Sequence, residues 1–280
     1  MLDSKLTKKI ADFVYIKPRT IQEIAQHVNK NWRTAERYVN KIIEETGSIA
    51  VRTFRGGTRG ALKIVYWNSI EKIHSSELQK RLFNKIEQGK RRNDFSPFDI
   101  YQHVADGKRM VYAEQKEHES ATDVKKVISM LRSAQNQVLF FSGNLSFTNF
   151  PSEDRKIVDV IEELAKNNIS IKILTRVDIA GRRNIEEAAA INERLGKDII
   201  EIRHCEQPLR AIIVDDKIAR FKEKLDPGNY AEGELDKKTF LFYEIYDAEW
   251  VEWLQKVFWH LFRTAVPLKK RLECLKDIGI

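Results

Sequence analysis

Cations and aromatic rings, more than nucleophiles, make up the reactive inventory of this 280-residue sequence. The run Asn31-Trp32-Arg33-Thr34-Ala35-Glu36-Arg37-Tyr38-Val39-Asn40-Lys41 has the spacing of a helix with two unlike faces. Ala35, Val39, Ile42 and Ile43 fall on an apolar stripe. Trp32, Arg33, Thr34, Arg37 and Lys41 fall largely on the other face, and Tyr38 fits either. A helix built this way rests on a core and offers guanidinium forks and an indole to a DNA groove. Two strand-like runs follow, joined by Arg55-Gly56-Gly57-Thr58-Arg59-Gly60. Their arginines, Arg52, Arg55 and Arg59, suit a loop lying along a phosphate backbone. Asn31, Trp32, Arg33, Thr34, Arg37, Lys41, Arg52, Arg55, Thr58 and Arg59 are therefore the expected DNA-contacting set.

The rest of the chain offers anion-binding groups without a complete catalytic set. No His/Asp/Glu group has metal-ligand spacing, and Cys205 and Cys274 form no CxxC, so neither metal nor cofactor is expected. Ser142-Gly143-Asn144 follows a strand-like run but lacks the spacing of a phosphate loop. Arg182-Arg183 follows the run Ile169–Thr175, at the edge where open α/β sheets take ligands. With Asn144 and Arg210 this pair forms either an effector or anion pocket or a solvated loop. Asp178 and Glu186-Glu187 read as solvated charges.

These residues need elements to position them. Three helices are expected first: Ser4–Val14, Ile21–Val28 capped by Thr20 with Glu23 three residues on, and a third capped by Asn31 and ended by Gly47. Strands Ile49–Phe54 and Ala61–Trp67 complete the order helix, helix, helix, strand, strand. Ser76–Gln88 reads as a linker helix whose stripe of Leu78, Leu82, Phe83 and Ile86 packs on a partner subunit or on the next domain. The basic run Lys90-Arg91-Arg92 after it is either a solvated hinge or a phosphate contact. A short helix from Ser96-Pro97 and a strand at Arg109–Glu114 lead into a loop, Gln115–Ser120.

From Thr122 helices and strands alternate, which predicts an α/β sheet, parallel at first and mixed later. Its strands are Gln137–Phe141, Ile169–Thr175, Ile199–Arg203, a hairpin of Leu209–Asp215 and Ile218–Lys222, and Thr239–Tyr246. Helices are expected from Thr122, at Ser152–Asn167, at Asn184–Leu195 and at Ala248–Thr264. The last is aromatic, with mixed rather than cationic polar positions, and reads as a core or dimer helix, not a membrane-surface one. Three segments follow: a DNA-binding domain at 1–70, a helical linker at 71–120 and a larger domain at 121–280.

Charge supports this partition. Residues 1–70 carry thirteen basic and six acidic side chains, a net +7 of the chain's +8. Hydrophobic residues make up 42% of the sequence, enough for two cores. With two cysteines, no signal-like start and no long apolar run, a reducing, cytoplasmic and membrane-free setting is expected.

Over residues 4–68 the chain resembles the winged-helix transcription regulators of archaea and bacteria. Residues 122–264 resemble a phospholipase-D-like domain, of the kind joined to winged helices in the archaeal TrmB-type sugar-responsive regulators. The second resemblance rests on strand order and on Gln207-Pro208-Leu209-Arg210-Ala211-Ile212-Ile213-Val214-Asp215-Asp216-Lys217. Active members of that family read His-x-Lys-x-x-x-x-Asp here. Asp215 matches the Asp, Arg210 stands for the Lys, and Pro208 replaces the nucleophilic His. Proline has no nucleophile, so the covalent phosphohistidine route is closed at that position. His204 would serve only if the strand ran straight through Pro208. Arg210 either binds an anion or pairs with Asp215 or a neighbouring carboxylate.

The resemblances imply a non-enzymatic transcriptional regulator that binds duplex DNA as a homodimer. Its degenerate larger domain would serve dimerisation or the sensing of a small-molecule effector. The rival readings are a DNA-targeted nuclease or phosphodiesterase, and a non-specific architectural protein that coats DNA.

Overall fold

The computed structural model describes residues 3–55, 61–68, 76–115, 121–149, 151–152, 155–231 and 234–277. The chain forms two compact units, Met1–Ser75 and Ser76–Ile280.

The first unit contains α1 (Ser4–Ile16), β1 (Arg19–Thr20), α2 (Ile21–His27), α3 (Trp32–Thr46), β2 (Ile49–Arg55) and β3 (Ala61–Trp67). Helix α1 stops at Lys17, held extended before Pro18. Thr20 and Glu23 close a reciprocal capping box on α2: the Thr20 amide donates to Glu23 Oε2 at 2.7 Å, and the Glu23 amide to Thr20 Oγ1 at 3.1 Å. Asn29 takes a positive φ in the turn, and Asn31 Oδ1 accepts from the Thr34 amide at 2.8 Å to cap α3. Gly47 ends α3 in the left-handed region, φ 57°, which a side chain would strain. The strands order β1-β3-β2, with β2 and β3 antiparallel from Ile49↔Trp67 to Arg55↔Ala61. Ile10, Val14, Ile24, Ala35, Val39, Ile42, Ile49 and Val65 form one buried cluster. Each large aliphatic side chain buried there contributes about 1.5–3 kcal/mol.

The second unit begins with α4 (Glu77–Gln88), α5 (Phe98–Tyr101) and β4 (Arg109–Gln115). It continues through α6 (Ala121–Arg132), β5 (Gln137–Phe141), a small hairpin of β6 (Pro151–Ser152) and β7 (Arg155–Lys156), α7 (Ile157–Lys166), β8 (Ser170–Thr175) and α8 (Arg182–Leu195). It ends with β9 (Ile200–His204), β10 (Ala211–Val214), β11 (Ile218–Leu225), β12 (Thr239–Ile245), α9 (Ala248–Thr264), β13 (Val266–Pro267) and α10 (Leu268–Asp277). Eight strands form one sheet in the order β13-β9-β8-β5-β10-β11-β12-β4. The β5–β8–β9 core is parallel, and the pairings beyond it are antiparallel. The architecture is thus α and β elements around a large mixed sheet.

Helices α6, α7 and α8 bury Leu131, Ile161, Leu164 and Ile185 against Phe140, Ile171 and Ile173 of the sheet. Alternation along β5 turns its neighbours the other way, and Phe141 meets Phe258 of α9 edge-on at 5.1 Å. Nine residues of α9 are buried, Trp253, Phe258 and Phe262 among them, so this aromatic helix is part of the core. Among the described residues no helix is long and apolar enough to cross a membrane.

Several boundaries differ from the sequence expectation. Residues 76–115 belong to the second unit: β4 pairs with β12 over Thr239↔Gln115 to Ile245↔Arg109, a partner 130 residues away that no local pattern announces. The α4 stripe of Leu82, Phe83 and Ile86 is buried within this unit, where Phe83 meets His260 of α9 at 5.0 Å. Helix α7 starts at Ile157, not Ser152, because β6 and β7 form a hairpin and the Lys156 amide is capped by Asp159 at 2.8 Å. Helix α10 lies beyond the last helix that the sequence pattern predicts; it follows β13 and tucks Leu268, Leu272 and Leu275 onto the larger core. The loop at 116–120 and residues 56–60 lie outside the described residues.

Candidate functional site: an exposed basic helix and a cationic cavity

In the first unit the two faces of α3 separate as the spacing predicts. Ala35, Val39 and Ile42 are buried, while Trp32, Arg33, Asn40 and Arg37 are exposed. Thr34, Tyr38, Lys41 and Ile43 are half-buried. Asn31 is occupied as the helix cap. Arg33 lies 5.6 Å from the Trp32 ring and Arg37 5.9 Å from Tyr38, so both guanidinium groups rest beside aromatic faces. Arg33, Arg37 and Lys41 share a shallow groove with Glu36, Asn40 and Glu44. Two of its charges are paired: Lys63 of β3 binds Glu36, and Lys41 reaches Glu45 at 4.0 Å. Arg33 and Arg37 thus supply the helix's exposed cationic character. Trp32 is 52% exposed, as is Leu62 on β3, and the two line one shallow apolar surface. Arg52 is exposed on β2. Arg55 is described only as backbone of β2, and Thr58 and Arg59 lie outside the described residues.

The second unit holds a cavity of about 510 Å³. It opens beyond the carboxyl ends of the parallel strands β5 and β8, reached by Gly143, Asn144 and Arg176, and extends over β11 and β12. Seven cations line it: Arg92, Arg176, Arg210, Arg220, Lys222, Lys224 and Lys238. No carboxylate does, among the described residues. Three of these cations are held by neighbouring acids, Arg176 by Asp178 at 2.6 Å, Lys224 by Asp226 at 2.8 Å and Arg220 by Glu244 at 3.8 Å. A smaller recess of about 180 Å³ shares Arg92, Arg210, Lys222 and Lys224 and adds Glu223 and Asp226. Glu223 accepts from the Tyr243 hydroxyl at 2.7 Å.

Arg210 enters the cavity from the loop before β10. Its Nη1 donates to the carbonyls of Leu209 at 2.7 Å and Gln207 at 3.2 Å. Among the described residues no carboxylate pairs with it. Gly143 makes room for it, because a Cβ there would stand 2.8 Å from Arg210 Nη2. Buried Gln207 fixes the loop, donating to the Ser142 carbonyl at 3.0 Å and accepting from the Leu209 amide at 2.6 Å. Burial pushes the Arg210 guanidinium down to about 10, with repulsion from Arg92 and Arg176 adding to it. Burial likewise pushes the Lys222 ammonium down to about 7, with Arg92 adding and Glu114 opposing. Lys222 lies 4.7 Å from the Phe240 ring, and Arg220 4.8 Å from Phe242, so the aromatic rings cradle the cations.

The other sequence candidates divide. Asn144 lines the cavity; its Oδ1 accepts from the Ser146 amide at 3.2 Å and its carbonyl from Asn184 at 3.1 Å. Arg182 and Arg183 do not line it. A short turn, Ile179–Gly181, carries them onto α8, where Arg182 pairs with Glu186 at 2.8 Å and Arg183 is exposed. Asp215 does not pair with Arg210. Its buried carboxylate accepts from the amides of Gln135, Asn136 and Gln137 at 2.8, 2.9 and 2.9 Å, which fastens the β10–β11 turn to β5. His204 Nδ1 accepts from the Val177 amide at 2.9 Å, and burial and Arg271 lower its affinity for a proton. It is not among the residues lining the cavity. Pro208 packs on the end of α4, where a Cβ on Gly89 would meet its ring at 2.8 Å.

Sequence reasoning missed Arg176, Arg220, Lys222, Lys224 and Lys238, and it offered Arg92 only as part of a basic run, hinge or phosphate contact, without this cavity. One signal was present: Arg220, Lys222 and Lys224 alternate along β11, so period two places them on one sheet face. No group of His, Cys, Asp and Glu among the described residues has the makings of a metal site.

No family model and no curated protein matches the chain. Solved structures similar to it include NucT from Helicobacter pylori, at 17% identity and TM-score 0.40, covering 57% of this chain and 99% of that one. Another is TrmBL2, an archaeal chromatin protein that binds DNA, at 14% identity and TM-score 0.40 over 94% of each chain. A third is Nuc, a phospholipase D family member from Salmonella typhimurium, at 19% identity and TM-score 0.40, covering 57% of this chain and 97% of that one. Likenesses this distant assign no activity, partner or residue role.

Proposed function

We propose that the chain is a DNA-binding transcriptional regulator whose first unit is a winged helix-turn-helix. In this reading α3 enters the major groove, Trp32, Arg33, Thr34 and Arg37 meet base edges and sugar-phosphate, and Arg52, Arg55, Thr58 and Arg59 hold the backbone. The observation that carries it is the outward face of α3, where Arg33 and Arg37 are exposed beside aromatic rings while the opposite stripe is buried. One such helix covers too few base pairs for useful specificity, so the regulator acts as a homodimer on half-sites about one helical turn apart or a multiple of it. The second unit is a catalytically degenerate phospholipase-D-like domain that dimerises the protein or senses a ligand.

Selection of bound sequences from random duplexes tests this reading. A regulator returns a two-fold-related consensus, lost in Arg33→Ala and Arg37→Ala. A pool with no consensus would make the protein a DNA-coating one instead. Metal-independent cleavage of plasmid, abolished by His204→Ala, would make it a nuclease.

A further inference from the structure

The first unit's charge is spread over an exposed face; the second unit concentrates seven cations on one cavity although residues 71–280 carry a net charge of only +1. Such a cluster is costly to hold together. Burial and repulsion from Arg92 already disfavour the charged forms of Arg210 and Lys222, with Glu114 opposing the effect on Lys222, and Arg92 keeps a buried Nη2 without a hydrogen-bond partner among the described residues. A bound anion relieves both penalties. Arg92, Arg210 and Lys222 line both this cavity and the smaller recess that shares its wall, so the three converge on one volume. Two guanidinium forks and an ammonium match the tetrahedral oxygens and double charge of a phosphate better than a single carboxylate.

The cavity is too large for inorganic phosphate alone and falls in the range of small-molecule sites, roughly 300–1,000 Å³. Val124, Val127, Phe147, Ile157 and Ile212 form an apolar wall within it. The aromatic faces of Phe240 and Phe242 already carry Lys222 and Arg220, which leaves the wall of Val124, Val127, Phe147, Ile157 and Ile212 to meet a carbon body.

We propose that this cavity binds a small organic phosphate monoester, with the phosphate held by Arg92, Arg210 and Lys222 and the organic body set against the Val124–Val127–Ile157 wall. This gives the ligand class for the sensing role proposed above, and it is measured without DNA. Loss of one reading therefore leaves the other visible.

Calorimetric titration of the full chain tests it with phenyl phosphate, adenosine monophosphate, glucose 6-phosphate, inorganic phosphate and phenol. At least one monoester should bind with one site per chain and at least tenfold tighter than inorganic phosphate or phenol. Arg210→Gln and Lys222→Met should each weaken it at least tenfold, while Arg182→Gln, outside the cavity, leaves it unchanged. Thermal unfolding of each variant shows that it remains folded, and Arg92→Gln supplies a second cation if either fails to fold. No saturable binding, equal affinity for inorganic phosphate and every monoester, or an equal loss in Arg182→Gln would overturn the proposal. If binding is absent while Arg33→Ala still abolishes DNA recognition, the ligand proposal alone falls.

Discussion

The two cationic surfaces of this chain solve opposite problems. On α3 the arginines stand in water, backed by a separate core of Val39 and Ile42, and holding their charge there costs little. In the cavity Arg210 and Lys222 are withdrawn from water and stand beside Arg92. An exposed array suits a polyanion that is approached over a wide area, with affinity from counterion release. A buried one suits a small anion whose shape and charge make up for lost hydration. Net charge detects the first kind and misses the second, because nearby acids such as Asp178, Glu244 and Asp226 balance the total.

Substitutions can break this contrast. The largest effect is expected from Arg33→Ala combined with Arg37→Ala. Loss of groove contacts at about 1–3 kcal/mol each should weaken specific DNA binding by roughly thirtyfold or more. Monoester binding should not change; fluorescence anisotropy and calorimetry on one preparation compare the two.

Lys222→Met probes the strain of burial. The folded-state pKa of Lys222 lies near 7, below its ordinary 10.5. Below pH 7 the lysine is protonated in both states and the folded protein bears the full desolvation penalty. Between 7 and 10.5 the unfolded state binds more protons, so this residue's contribution to stability improves as pH rises. The variant should therefore be more stable by about 1–3 kcal/mol at pH 6, allowing for solvent screening, with the gain fading by pH 10. Denaturant unfolding at pH 6, 8 and 10 measures it. A gain that is the same at all three would show that Lys222 does not titrate near neutrality.

Gly143→Ala should cost the fold about 1 kcal/mol, since the new Cβ meets the movable end of Arg210 rather than backbone. Monoester affinity should fall far more than stability does, because the displaced guanidinium is the ligand-holding one. The smallest effect is expected from Arg52→Ala: a uniform weakening across DNA sequences and a salt slope shallower by about one.

Legibility in the sequence followed locality. The α3 faces, the Thr20–Glu23 capping box, the Asn31 cap and the Gly47 stop are set by residues within a few positions of each other, and spacing identifies them. The strand β5 and the helix α9 are bounded as their apolar runs suggest. What escaped depends on distant partners. Arg109–Gln115 becomes a sheet edge only because β12 pairs with it, and Arg92 joins the cavity only because the fold brings residue 92 beside residues 210 and 222. Arg182 and Arg183 follow β8 in the sequence, yet the short turn Ile179–Gly181 carries them onto α8, and Arg176, the first residue after β8, lines the cavity. The identity of Pro208 was legible at once, and its packing against the end of α4 was not. The use of His204 as an acceptor for the Val177 amide was not.

The most direct test of the central claim is the affinity of the full chain for its selected duplex from roughly 50 to 300 mM salt. A DNA-binding α3 predicts a steep linear fall of log affinity with log salt, shallower in the Arg33→Ala, Arg37→Ala double variant. A flat response would contradict it.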